Sequence, residues 1–296
     1  MTPQSKIIIF CGKGGVGKTT LSLSMALRSA ERGKKVVVVS SHPLKELAVA
    51  VSLEGIKEAF PTASRNLFVV HLNPKELLAD EVRKNFPSQW VAETVLNSKI
   101  YQNLIEAAPG LKEFEFLVRL QQLADRKAAN APDYDLLLWD APASGHFLST
   151  LHAARNFETF LSGPLASAGA DLARFFSGAA HITLLPITTL EEMAIEETIE
   201  MCAKLETEFA MKAATVLLNL VSPVAMASEA DIDAQWTNSD PALHFALQRG
   251  VVERDRARYL REKMPVAQVA VERAAGWTND LDLLAQLSRS LDPVTP

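Results

Sequence analysis

Residues 12–20 read Gly-Lys-Gly-Gly-Val-Gly-Lys-Thr-Thr. Glycines at 12, 14, 15 and 17 let backbone amides turn inward around an anion, because no Cβ blocks the approach. The stretch lies between an apolar run at 7–11 and a run of good helix formers at 21–32. A helix N-terminus at that point adds positive potential. In this setting G-x-x-x-x-G-K-T predicts a cradle for the phosphates of ATP or ADP, built from Gly12, Lys13, Gly14, Gly15, Val16, Gly17, Lys18, Thr19 and Thr20. Lys18 would lay a point charge on the β- and γ-phosphates, and the Thr19 hydroxyl would ligate Mg²⁺. Lys13 is a second lysine inside the loop, with no task in the ordinary form of this chemistry.

Two more positions stand where a strand gives out. Asp140 closes the apolar run at 136–139, and a carboxylate there suits holding Mg²⁺, commonly through a water. His42 follows four consecutive valines and Ser40-Ser41. Ligands in open α/β sheets collect just past the carboxyl ends of such strands. An imidazole beside a polyanion is pushed toward its charged form, which binds phosphate but accepts no proton. A neutral His42 serving as a base, and a plain surface turn, are the two other readings.

The elements that must position these residues follow from the apolar pattern. Strand-length runs recur at 7–11, 36–39, 67–72, 136–139, 181–186, 215–220 and 265–271, with helical patterns between most of them. This alternation predicts an α/β fold with a mostly parallel sheet flanked by helices. Thr189-Leu190-Glu191-Glu192 has the spacing of a capping box opening a helix. Two stretches, about 74–130 and 147–177, hold more helix than a crossover needs, and 222–240 is small and polar enough to read as a flexible loop. The expectation is one domain over 1–296 with those two helical insertions.

The chain has 296 residues, 48% hydrophobic and 22% charged, with a net charge of −5. That balance gives no global reason to expect nucleic acid or an acidic membrane as partner. A stretch at 249–263 carries six cations against three anions and is read as a solvated helix face. No apolar run is long enough to span a bilayer, so no direct membrane insertion is expected. Cys11 and Cys202 look like small core thiols, and a cytoplasmic location is the natural expectation.

The motif "KGGVGKTT" resembles the deviant Walker A sequence of a group of P-loop NTPases (SIMIBI-like). The group takes in partition and division-site ATPases, nitrogenase iron protein and the ArsA/Get ATPases of anion transport and tail-anchored-protein targeting. The resemblance implies that Lys13 reaches across a dimer interface to the partner's nucleotide. "DAPASGH" at 140–146 looks like the ArsA/Get switch II, and "TLLPITTLEEMAIEET" and "TVLLNLVSP" resemble later segments of that family. By that resemblance Asn219 contacts the adenine; read by itself it is equally a strand-end turn asparagine. Relatives carry D-P-A-H in switch I, and Ser41-His42-Pro43 puts His42 in the aspartate's place. The implied protein is an Mg-ATP-binding dimeric ATPase that switches a protein client, with weak or absent hydrolysis at its own site. It could be a homodimer or a heterodimer with a related, catalytically complete subunit. A non-hydrolysing scaffold subunit and a partition-type spatial organiser are the alternatives. Two distant cysteines fit neither a metalloid site nor an iron–sulfur cluster. In the targeting relatives helical insertions form a client groove; here their apolar residues read first as core.

Overall fold

Alternate residues of each central strand face opposite sides of the sheet, and both sides are covered. The computed structural model describes residues 6–41, 57–58, 66–99, 101, 110–125, 134–160, 164–177, 180–227, 241–276 and 278–296. Strands β1 (Lys6–Cys11), β2 (Val36–Ser40), β3 (Lys57–Glu58), β4 (Leu67–His71), β5 (Leu136–Asp140), β6 (Ile182–Thr189), β7 (Thr215–Val221) and β8 (Ala267–Glu272) form one sheet, in the order β3-β4-β2-β5-β1-β6-β7-β8. Seven of them run parallel, and β3 joins β4 antiparallel.

The period-2 rule divides the core in two. Ile7, Ile9, Val37, Val39, Leu137 and Trp139 point into one layer, where helices α4 (Leu111–Ala124), α5 (Ser144–Phe160), α6 (Pro164–Phe176) and α7 (Glu192–Phe209) cover them. Ile8, Phe10, Val36, Val38, Leu136 and Leu138 point into the other, against α1 (Lys18–Glu31) and α10 (Asp280–Ser290). Helices α2 (Pro74–Asn85) and α3 (Gln89–Leu96) precede α4, and α8 (Pro223–Met226) and α9 (Pro241–Lys263) lie between β7 and β8. The C-terminus is tied back to α1: Arg28 Nε donates to Asp292 at 2.7 Å and Arg32 Nη2 does so at 2.7 Å.

This topology creates a switch point. The chain visits β2 and β4 on one side of β1, returns through β5, and then builds β6, β7 and β8 on the other side. Register brings the strand ends level there, with Phe10 opposite Asp140, Ser40 opposite Asp140 and Cys11 opposite Pro186. Such a crevice is where open α/β sheets bind ligands.

Several expectations need correction. Helix α1 starts at Lys18, three residues before its apolar pattern begins. Strand β6 runs past Pro186 to Thr189: Pro186 is the last residue opposite β1, and continuous pairing with β7 starts at Ile187. Thr189 is therefore the end of a strand and not a cap. The N-cap of α7 is Glu191, with no side-chain cap bond, and the Thr-x-x-Glu spacing was coincidental. Pro223–Met226 is a short helix, capped by Ser222, within the stretch read as a loop. Residues 228–240 lie outside the described residues.

In the helix-rich regions Phe114, Leu117, Phe157, Phe175 and Phe176 are buried, whereas Trp90 on α3 is 78% exposed. Leu78 is buried, but Phe86, at the far end of its stripe, is exposed. The basic stretch at 249–263 lies in α9 and is largely engaged. Arg249 pairs with Glu253, Arg258 with Asp255, and Arg256 donates to the Leu190 carbonyl. Cys11 and Cys202 are free and buried, and burial pushes the Cys202 thiol up to about 12.

Candidate functional site

The loop from Gly12 to Gly17 takes positive φ at Gly12, Gly15 and Gly17, and at two of these a Cβ would also meet a neighbour. Gly12 has φ +146°, and a Cβ on it would lie 2.2 Å from the Ile187 carbonyl oxygen of β6. Gly17 has φ +92°, and a Cβ on it would lie 2.3 Å from Asn219 Nδ2 at the end of β7. Val16 is buried beneath the loop, and its carbonyl accepts from Asn219 Nδ2 at 2.8 Å. Helix α1 then starts with no side-chain cap bond and no acidic residue in its first turn. Its N-terminal amides are thus left to an anion.

Lys18 Nζ donates to the carbonyls of Gly12 at 3.0 Å and Lys13 at 2.8 Å, so its ammonium lies over the loop's mouth. Burial lowers its pKa from the ordinary lysine value, while Asp140, Cys11 and Glu197 pull the other way. A phosphate would supply much more of that opposing charge. Thr19 Oγ1 donates to Asp140 Oδ2 at 2.6 Å, and the buried Ser40 hydroxyl lies 3.5 Å from the same oxygen. A hydroxyl and a carboxylate side by side at a phosphate loop make an oxygen donor set that fits Mg²⁺. Thr20 is half-buried in the first turn of α1, where its carbonyl accepts from Ser24. Gly14 and Gly15 are exposed. Among the described residues Lys13 pairs with no carboxylate.

Asn219 is buried, and Leu220 beyond it takes φ +59°. Both sequence readings therefore meet a third role, since the amide nitrogen braces the phosphate loop. Asn219 also lines a cavity of about 310 Å³, with Thr189 and Leu220 at the ends of β6 and β7 and Phe245, Arg249 and Glu253 of α9. Its size is that of a small-ligand pocket. Burial pushes the Glu253 carboxyl up, but the Ser222 N–H and Arg249 outweigh that and leave it below the usual range. His42 lies outside the described residues. Ser41 before it lines a small cleft with Trp139, Pro142 and His146.

Sequence reasoning missed three contributors. Ser40 faces Asp140 across the sheet register. Ser144, first residue of α5, donates its hydroxyl to Glu197 of α7. Both stand inside motifs quoted above, but no spacing joins positions 53 residues apart.

A concave loop after β1, a capless helix behind it, and a strand-end carboxylate at the switch point define a P-loop nucleotide-binding α/β fold. The family model described as Anion-transporting ATPase (ArsA) matches residues 5–166, more than half of the chain, and the chain belongs to that family. It is similar to a protein described as an arsenical pump-driving ATPase in Aquifex aeolicus, with 30% identity over 162 residues, 53% of this chain and 52% of the relative. It is 31% identical over 175 residues to the ATPase get3 of Schizosaccharomyces japonicus, which is 57% of this chain and 49% of that protein. The ATPase ASNA1 homolog 2 of Paramecium tetraurelia is 29% identical over 152 residues, 51% of this chain and 44% of the relative. The chain spans about half the length of the curated relatives it matches.

Proposed function

We propose that the chain is an Mg-ATP-binding, dimeric P-loop ATPase, one domain over residues 1–296, that acts as a nucleotide-dependent switch on a protein partner. The observation that carries this is the joined geometry of the loop: Lys18 held over the carbonyls of Gly12 and Lys13, and Thr19 held to Asp140. In this reading the loop amides and the α1 N-terminus hold the phosphates, and Lys18 neutralises their terminal charge. Thr19 and Asp140 hold the metal, and the cavity beside Asn219 takes the base. A magnesium ion held by Thr19 and Asp140 would supply Lewis-acid neutralisation of charge developing on the phosphates. Lys13, which pairs with no carboxylate among the described residues, reaches the nucleotide of a second subunit.

His42 in place of the switch I aspartate makes hydrolysis at this site weak or absent, because an imidazolium orients phosphate but takes no proton. The dimer is then a homodimer with slow turnover or a heterodimer with a complete subunit. A similar protein is named for arsenical pumping; this chain's two cysteines are both buried in the core, which supports a protein client over a metalloid. The exposed Trp90 on α3 is where such a client would meet the helical region. Among the described residues no helix is long and apolar enough to cross a membrane, which agrees with a proposed cytoplasmic location.

The test is steady-state ATP hydrolysis by the purified protein and by His42→Asp. A gain of about 10-fold or more, toward the 10²- to 10⁴-fold value of a positioned base, is expected. A loss would make His42 itself the base, and equal rates would remove it from the chemistry.

A further inference from the structure

The segment from Asp140 to α5 is pinned at both ends. At its start, Ala141 N donates to the Phe10 carbonyl of β1 at 3.1 Å. At its end, the Ser144 hydroxyl, only 5% exposed, donates to the Glu197 carboxylate. Between these anchors the segment lies against the phosphate loop, for a Cβ on Gly14 would sit 3.9 Å from Ala143 Cβ. The first anchor is ordinary backbone pairing. The second is a charge brought in from α7, 53 residues away.

That charge lies within the site's own field. Glu197 acts on the Lys18 ammonium in the same direction as Asp140 does. A carboxylate so placed opposes a polyanionic ligand, so electrostatics alone would disfavour it. What it supplies instead is a fixed acceptor. Helix α7 is firmly seated, with Ala194, Ile195, Thr198, Met201 and Cys202 buried around Glu197. An acceptor on such an element holds a loop to within the tolerance that phosphate recognition needs.

We propose that Glu197 is a positioning residue of the nucleotide site. Through Ser144 it fixes the segment 141–143 beside the end of the phosphate loop that receives a third phosphate. The proposal rests on the nucleotide reading above and deepens it. Its signature is discrimination between triphosphate and diphosphate, because the α- and β-phosphates are held by the loop and α1 whatever the segment does.

Calorimetry on the full chain with Mg²⁺ compares ADP with the slowly hydrolysed ATPγS. ADP should bind within about 2-fold of wild type in Glu197→Ala, Ser144→Ala and the double variant. ATPγS should weaken about 10-fold in each, the scale of one charge-assisted hydrogen bond, with the double variant no worse than either single one. Glu197→Gln keeps an acceptor oxygen and should stay within about 3-fold. If Glu197→Ala proves poorly folded, Ser144→Ala and Glu197→Gln carry the comparison. Additive losses, equal losses for both nucleotides, or a Glu197→Gln change as large as that of Glu197→Ala would overturn the proposal. Wild-type protein that binds neither nucleotide would overturn the underlying reading as well. Variants that bind both as wild type does would remove only Glu197.

Discussion

Replacing Asn219 with alanine separates bracing of the phosphate loop from contact with the base. Asn219 Nδ2 donates to the Val16 carbonyl at 2.8 Å, and both residues are buried. Truncation leaves that carbonyl without this donor, at a cost of about 1–3 kcal/mol where water does not replace it. If the ligand must then order the loop, affinity falls about 5- to 150-fold, at about 1.4 kcal/mol per factor of ten. In the proposed nucleotide site the phosphates would touch the loop and the base would not. A brace therefore weakens Mg-pyrophosphate and Mg-ADP by the same factor, whereas a base contact weakens ADP and spares pyrophosphate. We expect calorimetry to show both ligands weakened alike. Pyrophosphate binding at wild-type strength would refute the brace. Gly17 gives an internal check. Its φ of +92° penalises alanine in any background, by about 1–2 kcal/mol. The 2.3 Å approach to Nδ2 penalises it only while Asn219 is present. Urea melts of Gly17→Ala, Asn219→Ala and the double variant should show a coupling of about 0.5–3 kcal/mol. Simple additivity would mean that the amide swings aside at no cost.

Three further predictions follow from the charges. A lysine whose folded pKa is depressed costs stability below that value, and the cost fades as pH climbs toward the unfolded value near about 10.4. Burial depresses Lys18 in this way, so Lys18→Met should melt no lower than wild type at pH 7, with wild type gaining on it toward pH 10, and should bind no Mg-ATP. Asp292 accepts from Arg28 and Arg32, and the Arg28 bond holds its carboxyl below the usual range. Its contribution is thus present above about pH 4 and lost as pH falls through the lower folded value. Asp292→Asn should lower the melting temperature at pH 7, with the gap closing in acid and in high salt. Glu253 holds Ser222 N at 2.9 Å and Arg249 Nε at 3.0 Å, beside the cavity and away from the phosphate loop. Glu253→Ala should therefore weaken ADP and leave pyrophosphate unchanged, whereas Asn219→Ala is expected to weaken both.

What was legible in the sequence was whatever a short window encodes. Four valines at 36–39 are buried on both faces of a sheet, and all four are fully buried. The glycine loop reads as a loop because its constraint lies in backbone angles, which residue type reports directly. The two-residue strand β3 has too few residues for any period to show. At 189–192 a Thr-x-x-Glu spacing occurs inside a strand end, where β6 pairing with β7 outweighs local capping preference. The basic run at 249–263 shows six cations but not their partners, among which are backbone carbonyls of α8 and of the turn before α7. The contacts that shape the site were illegible for the same reason. Ser40 to Asp140, Ser144 to Glu197 and Val16 to Asn219 span 100, 53 and 203 residues.

Those long spans bear on how the family match should be understood. The matched segment ends at residue 166, and it contains the phosphate loop, Asp140 and Ser144. Yet the walls that force the loop's shape come from beyond it. Gly12 is confined by Ile187, Gly17 by Asn219, and the segment after Asp140 by Glu197. A glycine loop without such walls is free to sample many shapes, and ordering it would consume binding energy. The unmatched part of the chain is therefore not an appendage to a self-sufficient nucleotide module. It supplies β6, β7 and α7, whose backbone and side chains turn a permissive run of glycines into one particular cradle. The chemistry-bearing residues of the first half and the geometry-bearing residues of the second form a single site.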